Sequence, residues 1–320
     1  MEKILITGSM GQIGSELLQE LRKIYGKDNV IASDFRTPSE ETRSHWEPFE
    51  CVDVTNKESL ANVVKKYNID TIFHLAALLS AVGEQNPQKA WNVNMGGLYN
   101  VLEVAREYKV EKIFNPTSIA AFGPGTPRDM TPQDTILTPT TMYGVTKVSG
   151  ELLCDYYVRR FDMDVRGVRF PGIISSETPP GGGTTDYAVA IFYDAVKTKK
   201  YTCFVTEDTV LPMMYMPDAI HGVIKLMQAD KSRLKHHSNF NLASMSFSAK
   251  ELVAEIQKHI PEFTCEYKPD FRQQIADSWP RSLDDSVARE EWDWKPTYDI
   301  ASMTTDMLEK LTIRYKNGQL

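Results

Sequence analysis

Cysteine, basic excess and long apolar runs are all scarce in this sequence. The four cysteines among its 320 residues, Cys51, Cys154, Cys203 and Cys265, stand far apart and form no C-x-x-C pair. Such spacing speaks against both a metal knot and a disulfide framework. The formal net charge is −7, and no block of Lys and Arg offsets it, so neither nucleic acid nor an anionic membrane is an expected partner. No apolar run reaches membrane-spanning length, and Ile4 already opens the first predicted strand, so a signal peptide is not expected. Internal repeats and low-complexity segments are missing as well. A cytoplasmic, metal-free globular protein is the expectation.

What is present is an orderly alternation. Ile4-Leu5-Ile6 reads as a strand buried on both faces. Gly8, Gly11 and Gly14 punctuate a turn, and Leu17, Leu18, Leu21 and Ile24 then draw a helical stripe. A glycine turn that opens a helix leaves free backbone N–H groups at the positive end of the helix dipole, which makes an anion cradle. A second strand, Val30-Ile31-Ala32-Ser33-Asp34, ends in a carboxylate about 20 positions beyond the last glycine, where ribose hydroxyls of a dinucleotide would be gripped. An acid there should favour NAD over NADP, because it repels a 2′-phosphate; Arg36 is the nearby group that could accommodate one.

Further strands are expected at Phe49–Val52, followed by Asp53, at Thr71–Ala77, at Lys112–Thr117 and at Val165–Phe170, the last closing the sheet. Helices are expected from about Asn56 to Tyr67, from Pro87 to Tyr108 and from Tyr143 to Phe161. Asp53 is read as touching the adenine edge or capping the helix near Asn56, and His74 as a satisfied structural histidine. Strands and helices alternating at this length imply a doubly wound α/β fold, a Rossmann-type parallel sheet with helices on both faces. Ligands would lie at the carboxyl ends of the strands, where Gly8, Asp34, Ala76 and Ser118 fall. Beyond Pro171 the alternation breaks down. The expected division is a cofactor domain over residues 1–170 and a mainly substrate-binding, smaller α/β domain over 171–320, with some return of the chain to the first sheet.

Tyr143 and Lys147 are four apart and share one face of a helix. A phenol has a reference pKa of ~10, and each unit of depression needs ~1.4 kcal/mol of differential stabilisation. A neighbouring ammonium and a positively charged nicotinamide would both favour the phenolate. Ser118, at the tip of the preceding strand, supplies a hydroxyl to orient a reacting oxygen. Together, glycine turn, acid, strand-end serine and Tyr-x-x-x-Lys make a strong constellation beside a nicotinamide, with Tyr143 as the candidate base.

The order Gly8-x-x-Gly11-x-x-Gly14, Asp34, Asp53, Ser118, Tyr143-x-x-x-Lys147 resembles the extended short-chain dehydrogenase/reductases, the class that includes UDP-galactose epimerase. Leu78-Leu79-Ser80, Pro116 to Gly123, Gly181 to Tyr187, Leu211 to Asp218 and Ser278-Trp279-Pro280 narrow this to a resemblance to the short-chain L-threonine 3-dehydrogenases, over nearly the whole chain. Sugar-nucleotide relatives tend to carry Asn three residues after the arginine ending the sixth strand; counting from Arg169, that position is Gly172. The dehydratases have Asp-Glu after the catalytic hydroxyl residue, whereas Ser118 is followed by Ile119-Ala120. The resemblance implies NAD-dependent oxidation of L-threonine to 2-amino-3-oxobutanoate, a step of threonine catabolism, in a homodimer built through the helices near Pro87–Tyr108 and Tyr143–Phe161. The epimerase chemistry of the wider class is the alternative. It further implies that Gln12, Ile13, Val54, Leu75, Ala77 and Asn94 join Gly8, Gly14, Asp34, Asp53, Ala76, Tyr143 and Lys147 around NAD. Ser80, Thr185 and Trp279, with Ser118 and Tyr143, would hold the amino acid. Asp186 would either pair with its ammonium or cap the helix that begins at Tyr187.

Overall fold

The computed structural model describes residues 1–320. In chain order its first half comprises β1 (Ile4–Thr7), α1 (Gln12–Tyr25), β2 (Val30–Asp34), α2 (Arg43–Trp46), β3 (Phe49–Cys51), α3 (Lys57–Tyr67), β4 (Thr71–His74), α4 (Ser80–Gln85), α5 (Pro87–Trp91), α6 (Gly97–Tyr108), β5 (Lys112–Phe114), β6 (Thr117–Ser118), α7 (Met142–Phe161) and β7 (Asp164–Arg166). Six of these strands form one parallel sheet in the order β3-β2-β1-β4-β5-β7. The strand order reverses between β1 and β4, and a crevice opens there at the carboxyl ends. The doubly wound α/β fold read from the sequence is the one observed.

Burial explains why the strand residues are apolar in unbroken runs. Ile4 and Ile6 face α1, packing with Leu17, Leu18 and Leu21. Leu5 faces the other layer, with Leu60 and Val64 of α3 and Val101 and Leu102 of α6. Each face of the sheet is thus covered by helices, as a parallel sheet requires.

The second half contributes β8 (Val168–Phe170), β9 (Gly172–Ile174), α8 (Tyr187–Lys197), β10 (Lys200–Cys203), β11 (Val210–Tyr215), α9 (Met216–Gln228), β12 (Phe240–Asn241), β13 (Met245–Ser248) and β14 (Thr264–Tyr267), besides further helices that include Ile300–Lys316. Its strands make three small sheets, β12-β8-β6, β13-β11-β9 and β10-β14. Helix α9 returns to the first sheet, where Met216, Ile220 and Val223 join the α1 side of its core.

Three expectations are corrected. The strand expected at Lys112–Thr117 is two: β5 ends at Phe114 in the large sheet, and β6 begins at Thr117 in the β12-β8-β6 sheet. Residues 165–170 are not one strand: the ladder breaks at Gly167, so β7 closes the large sheet while β8 pairs with β6 and β12. A Cβ at Gly167 would lie 2.3 Å from the Asn115 carbonyl and 2.7 Å from that of Ser238, so only glycine lets the chain pass between them. Residues 87–108 are not one regular helix either. A wide π-helical turn over Asn92–Gly96 separates α5 from α6, and Asn94 in that turn reaches across to brace Leu78.

Candidate active site

The glycine turn after β1 is shaped by close backbone approach. Gly8 has φ +72°, and a Cβ on it would lie 2.7 Å from the Ala76 nitrogen. A Cβ on Gly14 would lie 2.4 Å from the Gly8 carbonyl oxygen. Helix α1 starts at Gly11 without any side-chain cap, so the amides of its first turn, at Gln12, Ile13 and Gly14, open onto the crevice. Buried polar atoms with no protein partner, Ser9 Oγ and Gln12 Nε2, accompany this turn. An uncapped helix start, a cradle that any side chain would fill, and orphaned buried donors all fit a dinucleotide pyrophosphate.

Asp34 ends β2 and is almost wholly buried. Its Oδ2 accepts from Met10 N at 3.1 Å, and its Oδ1 accepts from Arg36 N and Nε, each at 3.1 Å. Both the carboxylate and Arg36 therefore stand beside the cradle. Leu75 and Ala77 line the crevice, and the Ala76 backbone presses against Gly8. Asp53 is exposed, and its carboxylate accepts from Thr55 N and Oγ1, while Asn56 caps α3. Val54 packs toward Gly97. Asn94 lies behind the lining: it bonds Leu78 on both backbone groups and donates to Thr146 Oγ1 at 3.1 Å. His74 is buried and meets Thr7 Oγ1 at 2.8 Å through Nδ1. Burial, then the charge of Lys147, holds it down to about 3, so it stays neutral.

The far end of the crevice collects Ser118, Tyr143 and Lys147. Thr141 caps α7 by accepting from Gly144 N at 3.1 Å. Gly144 then rests against the turn after Ser118, because a Cβ there would lie 2.2 Å from the Ala120 carbonyl oxygen. That contact brings Tyr143 to Ser118. Burial pushes the Tyr143 phenol up to about 12, and the neighbouring Ser118 hydroxyl acts in the opposite direction. Lys147 donates to the Pro116 carbonyl at 2.8 Å and sits 5.3 Å from the Tyr143 ring centre. Burial lowers it to about 8, with the charges of Glu151 and Cys154 opposing. One layer deeper, Arg169 donates to both oxygens of Glu151, at 3.0 and 2.8 Å, and Thr117 Oγ1 donates to the same carboxylate at 2.7 Å. This buried pair ties β6, α7 and β8 together directly beneath the three polar residues.

Opposite them, Ser80, Thr185, Asp186 and Trp279 line the same crevice, which has about 1100 Å³ of empty space, part of it open to solvent. The Asp186 carboxylate does not cap α8; its Oδ2 accepts from Gly182 N at 2.7 Å and Gly183 N at 2.8 Å. Burial raises its pKa and these amides lower it. Leu79, Pro116, Phe170, Pro171, Ile173 and Thr184 also line the crevice and were not expected as site residues. Leu79, Pro116 and Thr184 do lie in the strings that carry the resemblance, and the Pro171-Gly172 break just after a predicted strand marks another wall.

A doubly wound sheet with a glycine cradle, a ribose-side carboxylate and a Ser-Tyr-Lys cluster defines a dinucleotide-dependent oxidoreductase or isomerase of the extended short-chain class. The chain belongs to the NAD dependent epimerase/dehydratase family, whose pattern matches residues 4–243, and the cofactor is accordingly NAD. It is 52% identical over 318 residues to an uncharacterized epimerase/dehydratase of Staphylococcus haemolyticus, covering 99% of this chain and 100% of that one. Among solved structures, the L-threonine dehydrogenase of Clostridium difficile is 56% identical with a TM-score of 0.96, over 98% of each chain. A monomeric L-threonine 3-dehydrogenase from a metagenome is 50% identical with a TM-score of 0.94, over 97% of this chain and 99% of that one.

Proposed function

We propose that this protein oxidises L-threonine at its β-carbon, giving 2-amino-3-oxobutanoate and NADH. The observation that carries the reading is the Ser118, Tyr143 and Lys147 cluster sharing one crevice with Ser80, Thr185 and Trp279, in a chain about as long as the threonine dehydrogenases it resembles. Bound NAD supplies the hydride acceptor. Tyr143 takes the hydroxyl proton as the β-hydride leaves, and Ser118 holds the oxygen. The ammonium of Lys147 favours the phenolate, which burial alone disfavours. Ser80, Thr185 and Asp186 bind the amino and carboxylate groups, and Trp279 closes the apolar side against the methyl group. Gly8, Gln12, Ile13, Gly14, Asp34, Leu75, Ala76 and Ala77 hold the dinucleotide; Asp53, Val54 and Asn94 support its walls. Residues 1–170 act mainly on the cofactor and 171–320 mainly on the substrate. The proposed assembly is a homodimer working in the cytoplasm.

A substrate panel with NAD tests the reading. L-Threonine should reduce NAD, with L-serine slower by roughly 10- to 200-fold for want of one methyl group. L-allo-Threonine and D-threonine, each inverted at one centre, should be slower still. No NADH from any of these amino acids, together with conversion of UDP-galactose to UDP-glucose, would replace this reading with a sugar-nucleotide epimerase.

A further inference from the structure

Between β9 and α8 the chain runs from Ser175 to Asp186 as a strap beside the crevice, and its downstream end supplies Gly183, Thr184, Thr185 and Asp186 to the lining. Hydrogen bonds of residues 179–183 stay within the strap, through Asp186. The strap is therefore positioned by its ends. At the upstream end the Ser175 hydroxyl is fully committed. It donates to Glu16 Oε1 at 2.5 Å and accepts from the amides of Glu177 at 3.1 Å and Thr178 at 3.3 Å. A hydroxyl has one proton and two lone pairs, so its proton goes to Glu16 and both lone pairs fold the strap's first turn. Glu16 lies on α1, one turn beyond Gln12 of the dinucleotide cradle. Its neighbour Ser15 approaches Thr178 at 3.4 Å, and Arg314 donates to the Ser176 and Glu177 carbonyls from the helix Ile300–Lys316.

We infer that Glu16 is a positioning residue, whose carboxylate, acting through Ser175, fixes the strap carrying Thr185 and Asp186 relative to the helix carrying the cofactor cradle. Its kinetic consequence rests on the proposed threonine oxidation; its structural consequence does not. The titratable groups around Glu16 come from five elements, one of them α8, whose Tyr193 phenol feels the Glu16 carboxylate. Glu20 and Lys23 lie on α1, Glu177 on the strap, His221 on α9, and Lys310 on the helix Ile300–Lys316. Burial pushes the Glu16 carboxyl up to about 7, the Ser175 hydroxyl pulls it down, Glu177 raises it, Lys310 lowers it and Glu20 raises it. Above that value the carboxylate accepts a charge-assisted bond from Ser175. Below it the acid is neutral and the bond is weaker. The latch is firm at higher pH and slackens as pH falls through about 7.

Glu16→Gln keeps the shape and an accepting oxygen but no charge, so it should behave at every pH as the wild type does in acid. The expected result is a KM for L-threonine raised about fivefold above pH ~7, with kcat and NADH affinity unchanged within about twofold. The wild-type KM should climb as pH falls below ~7, and that inflection should be missing in the variant. Ser175→Ala should match Glu16→Gln, and the double variant should be no worse than either single one. Amide hydrogen exchange over residues 176–186 of the ligand-free protein, corrected for intrinsic pH dependence, is the readout independent of turnover. The strap should exchange faster in both variants, while β1 and α3 do not. Unchanged strap exchange would overturn the inference, as would kcat, NADH affinity and thermal stability falling together. Should the wild type fail to oxidise threonine, only the proposed function falls, and hydrogen exchange alone decides the role of Glu16.

Discussion

Lys147 Nζ stands 5.3 Å from the centre of the Tyr143 ring while donating to the Pro116 carbonyl at 2.8 Å. One side chain thereby spans α7 and the strand end that carries Ser118, two residues beyond Pro116. The same burial acts on both groups. It raises the phenol to about 12 and lowers the ammonium to about 8, so the charged form of each is disfavoured until something else supplies charge to the crevice.

Replacing Tyr143 by Phe keeps the ring and removes the proton acceptor. Turnover should fall by ~10² to 10⁴ with little change in NADH affinity. Stopped-flow turnover and NADH fluorescence titration separate the two effects. A variant with near wild-type turnover would remove Tyr143 as the base.

Gly144 determines where Tyr143 stands. An alanine there would place its Cβ 2.2 Å from the Ala120 carbonyl oxygen and 2.6 Å from Pro139 Cβ. The start of α7 must then retreat, at a cost of ~1–3 kcal/mol of stability. Denaturant titration should show that loss. Turnover of the folded fraction should fall as well, since the distance from Tyr143 to Ser118 opens.

Asp34 holds Arg36 at 3.1 Å. Asp34→Ser would remove the charge that repels a 2′-phosphate and release Arg36 to meet it. The ratio of kcat/KM for NADP over NAD should rise at least tenfold, equivalent to ~1.4 kcal/mol. Wild-type protein using NADP as well as NAD at equal concentration would contradict this role.

His74 links folding to pH. Its folded value, about 3, lies below the ordinary value of 6.5 because burial favours the neutral ring. The unfolded chain therefore binds the extra proton first on acidification. Stability is fully present above 6.5 and is lost as pH falls toward 3, at up to ~1.4 kcal/mol per pH unit. Urea midpoints of wild type and His74→Asn, compared from about pH 7 to about pH 5, should fall more steeply in the wild type.

Trp91, Tyr99, Leu152 and Tyr156 of α5, α6 and α7 are all exposed, Leu152 by 66%. Large apolar side chains on neighbouring helices are what a dimer face presents. Sedimentation at micromolar concentration should show a dimer, and Leu152→Asp should give a monomer that still binds NADH. A wild-type protein that stays monomeric, as one structural relative is described, would refute the assembly.

Much of the site is legible because its chemistry lies in short local patterns. Gly8 and Gly14 encode a turn that only glycine can make, Asp34 ends a strand, and the spacing of Tyr143 and Lys147 is one helical turn. The alternation of apolar strands with striped helices likewise determines a parallel sheet, since both faces must be covered. What the chain alone leaves open is decided by contacts between distant segments. The break at Gly167 follows from the Asn115 and Ser238 carbonyls, one of them 71 residues downstream. Asn94 turns inward because Leu78 and Thr146 offer it partners. Asp186, a plausible helix cap by position, is claimed instead by the amides of its own loop. Glu16 reads in sequence as one more polar residue of a surface helix, and gains its setting only when Ser175, 159 positions away, folds against it. Local patterns carry backbone geometry and residue chemistry, whereas burial and long-range hydrogen bonds, which set each group's charge and orientation, exist only once the chain has closed on itself.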